Sequence, residues 1–158
     1  MDPEYRSYTA AKSRAYLSHI RSLILTVRQL QSEMEGLEAL ASGLTGIDYT
    51  RPIIRTSPSQ DRLERVVIRL DSMRDEYAAE LAGYLEEQNE AHGLIGLAGQ
   101  PYAALLTERY LHGRTWADTA DAICYQETYA RTELHEEALA RIYPHLPAPW
   151  RDPTHRAV

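Results

Sequence analysis

Apolar residues recur in alternating steps of four and three from Tyr16 onward: Ile20, Leu23, Val27, Leu30, Met34, Leu37, Ala41 and Leu44. That a/d spacing, held for about four heptads, predicts one long helix whose apolar seam seeks a helical partner. Asp2-Pro3-Glu4 supplies its start, with Asp2 as cap and Pro3 in the first turn, and Gly43 and Gly46 supply its end. A second stripe runs through Leu63, Val66, Leu70, Met73, Tyr77, Leu81, Tyr84 and Ala91. It opens at Ser57-Pro58-Ser59-Gln60, where Ser57 and Gln60 have capping-box spacing. The intervening GIDYTRPIIRTSPSQ is a loop, because Pro52 and Pro58 block helix. Two amphipathic helices joined this way most simply fold back as an antiparallel hairpin. A coiled coil between two chains would use the same stripes.

Beyond Gly93, Gly96 and Gly99 the pattern shortens. Pro101 opens a third helix with Leu105, Leu106 and Tyr110 inward, and Gly113 is placed to close it in a left-handed turn. Thr115 caps a short fourth helix, Trp116 to Ile123. After a break at Cys124 to Gln126, a fifth helix runs to about Ile142 with Ala130, Leu134 and Ala138 inward. Supporting helix, short helix, tight turn and longer helix make the tri-helical layout of a helix-turn-helix domain. Pro144, Pro147, Pro149 and Pro153 mark an irregular tail. The expected fold is therefore all-α: a long two-helix antiparallel hairpin or coiled coil over 1–96, a tri-helical helix-turn-helix domain over 97–146, and a tail over 147–158.

Composition narrows the chemistry. With 44% hydrophobic and 25% charged residues the chain can bury a core, and its wealth of Leu, Ala, Glu and Arg favours helix. No run is long and apolar enough to suggest a membrane span, and MDPEYRSYTAAKSR lacks the apolar core of a secretory signal, so a cytoplasmic location is expected. The single cysteine, Cys124, excludes a disulfide framework or a cysteine zinc cluster, and we read it as a buried turn residue. His135-Glu136-Glu137-Ala138-Leu139 begins like a zinc-protease helix, but Leu139 stands where the second histidine is needed. Gly93, Gly96 and Gly99 are followed by no Lys-Ser/Thr, so they form no phosphate loop. No catalytic, metal or cofactor constellation emerges, and the expectation is a binding protein rather than an enzyme.

The formal net charge of −6 means that phosphate would have to be met by a local basic patch. Opposite the inward stripe of the fifth helix lie Thr128, Arg131, Thr132 and His135, with Gln126 and Glu127 at its entrance. Arg, Thr, Gln and His can donate to phosphate oxygens or base edges, and Glu can accept from cytosine N4. Arg114 could add a backbone contact at the start of the fourth helix. From Pro101 onward six arginines stand against eight acidic residues, which argues against tight solitary binding. The basic residues of the first helices (Arg6, Lys12, Arg14, Arg21 and Arg28, then Arg62, Arg65, Arg69 and Arg74) are interleaved with acids and read as a solvated, salt-bridged surface. Arg51 and Arg55, in the loop, are better candidates for an anion contact.

RYLHGRTWADTADAICY, Arg109 to Tyr125, resembles region four of bacterial sigma factors: an aromatic-rich helix, a glycine, then Thr-aromatic-x-Glu-Ile-Ala. More broadly the chain resembles phage-encoded short proteins grouped with RinA- and ArpU-type late transcription regulators. The matching features are the long first helix, Ser57-Pro58 with Asp61, Arg109-Tyr110, Thr115-Trp116, Ala120, Leu134-His135 and Ala138-Leu139. Against the pattern, Thr119 replaces an apolar core residue, Gln126 or Glu127 takes the place of a serine cap, and the turn carries an extra residue that moves Ala130 and Arg131 by one register.

The resemblance implies a DNA-binding transcriptional regulator of phage or prophage origin in a bacterial host cell. Gln126, Glu127, Thr128, Arg131, Thr132, His135 and Arg114 would contact double-stranded DNA. RNA polymerase would be a further partner, and the N-terminal helices would form a homodimer or higher homo-oligomer. Two other classes compete: a terminase small subunit of a packaging machine, and an adaptor that docks on polymerase without touching DNA.

Overall fold

The computed structural model describes residues 2–45 and 58–151, all helix and turn with no strand among them. The expected loop, with Arg51, Arg55 and the Ser57 cap, lies outside the described residues, as does Pro153. Helix α1 spans Pro3–Thr45 and α2 spans Pro58–Gly96. Helix α1 runs past Gly43, expected with Gly46 to end it, and α2 runs past Gly93, expected to loosen its end, since one glycine costs a helix only about 1 kcal/mol. Asp2 caps α1 as expected, its carboxylate accepting from the Glu4 N–H at 3.1 Å. Helix α3 covers residues 102–111, α4 covers Trp116–Ile123 and α5 covers residues 127–142. None of these helices is long and apolar enough to cross a membrane.

The chain divides into two compact units, which cut across the expected boundary at residue 96. The first unit, Ile24–Tyr84, is a helical hairpin. Its strands of helix run antiparallel: Glu38 of α1 pairs with Arg74 of α2 at 3.4 Å, while Arg28, earlier on α1, lies near Tyr84, later on α2. Val27, Val66, Leu70 and Met73 are buried along the seam, whereas Leu30, Met34, Leu37, Tyr77 and Leu81 are half-buried. A lone helix pair has one shared face, so only its centre line leaves water entirely.

The second unit joins residues 1–23 of α1 and 85–96 of α2 to α3, α4, α5 and the following turns. Tyr16, Leu17 and Ile20 of α1 share one core with Ile95, Leu105, Leu106, Leu139 and Ile142. The first helix up to Leu23 is thus part of the body that carries the helix-turn-helix. Its polar rim is pinned by Arg6–Glu137 at 3.2 Å and His19–Glu87 at 3.0 Å. Of the expected tail over 147–158, residues 147–151 are described, and they continue a packed segment that begins at Tyr143. Two short 3-10 turns, Tyr143–His145 and Ala148–Trp150, bury Leu146 and bring Trp150 edge-on to Tyr16, ring centres 5.6 Å apart. Proline blocked α-helix there, as its chemistry requires, but the apolar side chains between the prolines still found the core.

Candidate functional site

The helix-turn-helix forms where the sequence places it. Gly113 adopts φ 68° and closes α3. The Thr115 hydroxyl then accepts from the Asp118 N–H at 3.2 Å and donates to the Asp118 carboxylate at 2.7 Å, capping α4. Helix α4 ends at Cys124, whose φ of 60° puts a non-glycine residue in the left-handed region. Cys124 is exposed rather than buried: as the residue that turns the chain out of the helix, it caps α4 from the solvent side. Thr119 is fully buried, and its hydroxyl finds no partner among the described residues, the consequence of a threonine in an apolar core position. Gln126 precedes α5 in extended backbone without a side-chain cap bond.

Gln126, Glu127, Thr128, Arg131 and Thr132 all lie exposed on the first turns of α5. The Thr132 hydroxyl donates to the Thr128 carbonyl at 2.8 Å, and Tyr125 stacks on Tyr129 at 5.8 Å beside them. Arg114 is exposed too, but its guanidinium is held by Glu108 at 2.7 Å. His135 does not belong to this face. It is 5% exposed, with its Nε2 2.9 Å from the Tyr110 hydroxyl and its ring edge-on to Trp116 at 4.8 Å. Its spacing of three, four and seven residues from the buried Ala138, Leu139 and Ile142 puts it on their inward face. A π-type turn precedes it at Ala130–Leu134, where the His135 N–H reaches back five residues to the Ala130 carbonyl. Leu134 and His135 both lie inward, and the register left open by the sequence resolves in favour of Ala130 inside and Arg131 outside.

Beside that face is a cleft of about 360 Å³, lined by Arg14, Ser18 and Arg21 of α1, Arg109 and Tyr110 of α3, Trp116 of α4, and Arg131 and His135 of α5. No carboxylate lines it, and among the described residues none of its four arginines forms an ion pair. Arg109 is fixed in place: its guanidinium donates to the Arg114 carbonyl at 2.6 Å and lies over the Trp116 ring at 4.8 Å. Burial and the neighbouring Arg21 charge lower its proton affinity. Burial, then the Arg14 and Arg109 charges, push the His135 pKa down to about 4, against a weaker opposing bond to the Arg131 backbone. Its ring is therefore neutral near pH 7, and Nε2 accepts from the Tyr110 hydroxyl. Burial raises the Tyr110 phenol pKa despite the Arg14 and Arg109 charges, so that hydroxyl stays a donor.

Arg14, Arg21 and Arg109 escaped the sequence reading, which took the α1 arginines for a salt-bridged surface. The available signal was the spacing of Arg14, Ser18 and Arg21, which sets all three on one helical face. Arg74 does behave as expected, pairing with Glu38 and Asp71. No cluster of three or more His, Cys, Asp or Glu side chains suited to a metal ion occurs among the described residues. No family model, curated protein or solved structure matches the chain.

Proposed function

We propose that this protein is a DNA-binding transcriptional regulator of the phage late-regulator type, acting in a bacterial cytoplasm. The observation that carries the reading is the gathering of Arg14, Arg21, Arg109 and Arg131 beside the exposed first turns of α5, in a chain of net charge −6. Phosphate binding needs local, not global, positive charge. Four arginines meet in this cleft without a carboxylate, while Arg62, Arg65 and Arg69 line a second such cavity on the hairpin unit, which holds no part of α5. Gln126, Thr128, Arg131 and Thr132 would read base edges or phosphates, with Glu127 as an acceptor for cytosine. His135 drops out as a contact residue and instead supports Arg131 from behind. Glu137, which pairs with Arg6 and Arg141, is neutralised and no longer counts against the approach of phosphate.

Leu25, Leu40, Val67 and Ile68 stay exposed on the hairpin unit, apolar surface that homodimerisation would cover. A dimer would double the phosphate contacts of a module that is weak alone. One observation favours the adaptor reading instead: the exposed, stacked Tyr125–Tyr129 pair beside Glu127 has the composition of a protein contact. Gel shifts on the protein's own genomic fragments across a salt series separate the two. Specific binding whose salt slope falls by about 1 on Arg131→Ala supports the regulator. Absence of any shift at low salt, with polymerase retained on a column of the protein, supports the adaptor.

A further inference from the structure

We infer that the cleft between α1, α3 and α5 is a binding site for a compact di- or triphosphate group, such as a nucleoside polyphosphate carries. We further infer that this ligand and DNA exclude one another, because both draw on Arg131. The second half rests on the reading above; the first does not.

Charge is the first reason. Four guanidinium groups line one cleft with no carboxylate among the lining residues, an arrangement that repels itself until an anion arrives. Burial and, after it, the neighbouring arginine charges lower the proton affinity of Arg109 and of His135, so the cleft already disfavours further positive charge. The stock of donors is the second reason. Each guanidinium offers five N–H groups. Arg109 spends one on the Arg114 carbonyl, and Ser18 adds a neutral hydroxyl to the wall. An internal DNA phosphodiester brings one charge and two free oxygens, far fewer than this cleft can satisfy, whereas a terminal diphosphate brings several of each.

Shape is the third. The site is concave, about 360 Å³, and walled by Tyr110 and Trp116, so it suits a group that enters end-on rather than the convex flank of a duplex. Local backbone geometry is the fourth, and it is independent of charge. Two π-type turns occur here, Thr107–Leu111 and Ala130–Leu134. The first carries Arg109 and Tyr110, the second Arg131, and each widens the helix where it faces the cleft. Such turns are rare and occur frequently at functional sites.

The test is calorimetric titration of the full chain with pyrophosphate, and with orthophosphate and sulfate at matched ionic strength. Saturable single-site binding of pyrophosphate, tighter than orthophosphate by about tenfold or more, is expected. Arg14→Gln combined with Arg21→Gln should remove it, while Arg28→Gln, which alters net charge outside the cleft, should leave it intact. If the double variant loses its cooperative thermal transition, Arg21→Gln alone serves, with a loss of about tenfold expected. Pyrophosphate should also shift the imidazole resonance of His135 more than that of any other histidine. Equal, weak binding of all three anions (an adventitious ion only), or binding unchanged by the Arg14 and Arg21 substitutions, overturns the site. Pyrophosphate binding without any DNA shift leaves the site standing and sinks the DNA reading. A DNA complex that survives saturating pyrophosphate overturns the exclusion.

Discussion

Between neutral pH and about pH 4 the unfolded chain takes up a proton at residue 135 that the folded chain refuses. The ordinary histidine pKa is 6.5, and burial with the Arg14 and Arg109 charges brings that of His135 down to about 4. The folded state thus favours the neutral ring, and its contribution to stability is complete above the unfolded pKa. That contribution is lost as pH falls from about 6.5 towards about 4, because over this window the unfolded state binds more protons. A gap of about 2.5 pKa units at 1.36 kcal/mol each amounts to about 3 kcal/mol, a sizeable part of a typical domain's stability. The conversion is appropriate because the ring is almost fully withdrawn from water. Urea unfolding followed by far-ultraviolet circular dichroism, repeated at several pH values, measures it. Wild type should lose about 3 kcal/mol more than His135→Gln over this range, since glutamine can accept from the Tyr110 hydroxyl but does not titrate. Adding Arg14→Gln should shallow the wild-type slope. Parallel curves for wild type and His135→Gln would refute both the burial and the electrostatics assigned to this ring.

Three further substitutions probe local features. Thr119→Val keeps the shape of a fully buried side chain and removes its unpartnered hydroxyl. It should stabilise by about 1 kcal/mol, a rise of roughly 2–4 °C in the calorimetric Tm. Cys124→Gly relieves a non-glycine residue of its left-handed backbone and should add about 1 kcal/mol by the same measurement; a loss would mean the side chain has a contact beyond its cap role. Trp150→Ala removes the ring that packs on Tyr16 and His19. It should cost about 2 kcal/mol in urea unfolding, whereas a free-hanging tail would give no change.

Particular residues show where sequence reasoning reached and where it stopped. The spacing of Ile20, Val27, Val66, Leu70 and Met73 is a property of neighbours along one helix, and these side chains are buried as the period requires. The caps at Asp2 and Thr115 and the left-handed Gly113 were legible for the same reason, since each bond closes within a few residues. His135 was misread because its polar type outweighed its position: three, four and seven residues before Ala138, Leu139 and Ile142, it shares their buried face. The exposed Cys124 was misread because burial was assigned by residue type rather than by position, and the packing around Trp150 was missed because the flanking prolines were read as an irregular tail.

The sequence by itself determined that the chain is all-α, where its helices start and stop, which faces are apolar, and that its surface is acidic on the whole. Only the tertiary structure decided that the first turns of α1 belong to the body of the helix-turn-helix, and that Arg14, Arg21, Arg109 and Arg131 share one cleft. Helical periodicity follows from hydrogen bonds that span four residues, so a short window suffices to read it. The cleft is made by charges on three helices, one of them some hundred residues from the others in the chain, and their meeting exists only once a common core has drawn those helices together.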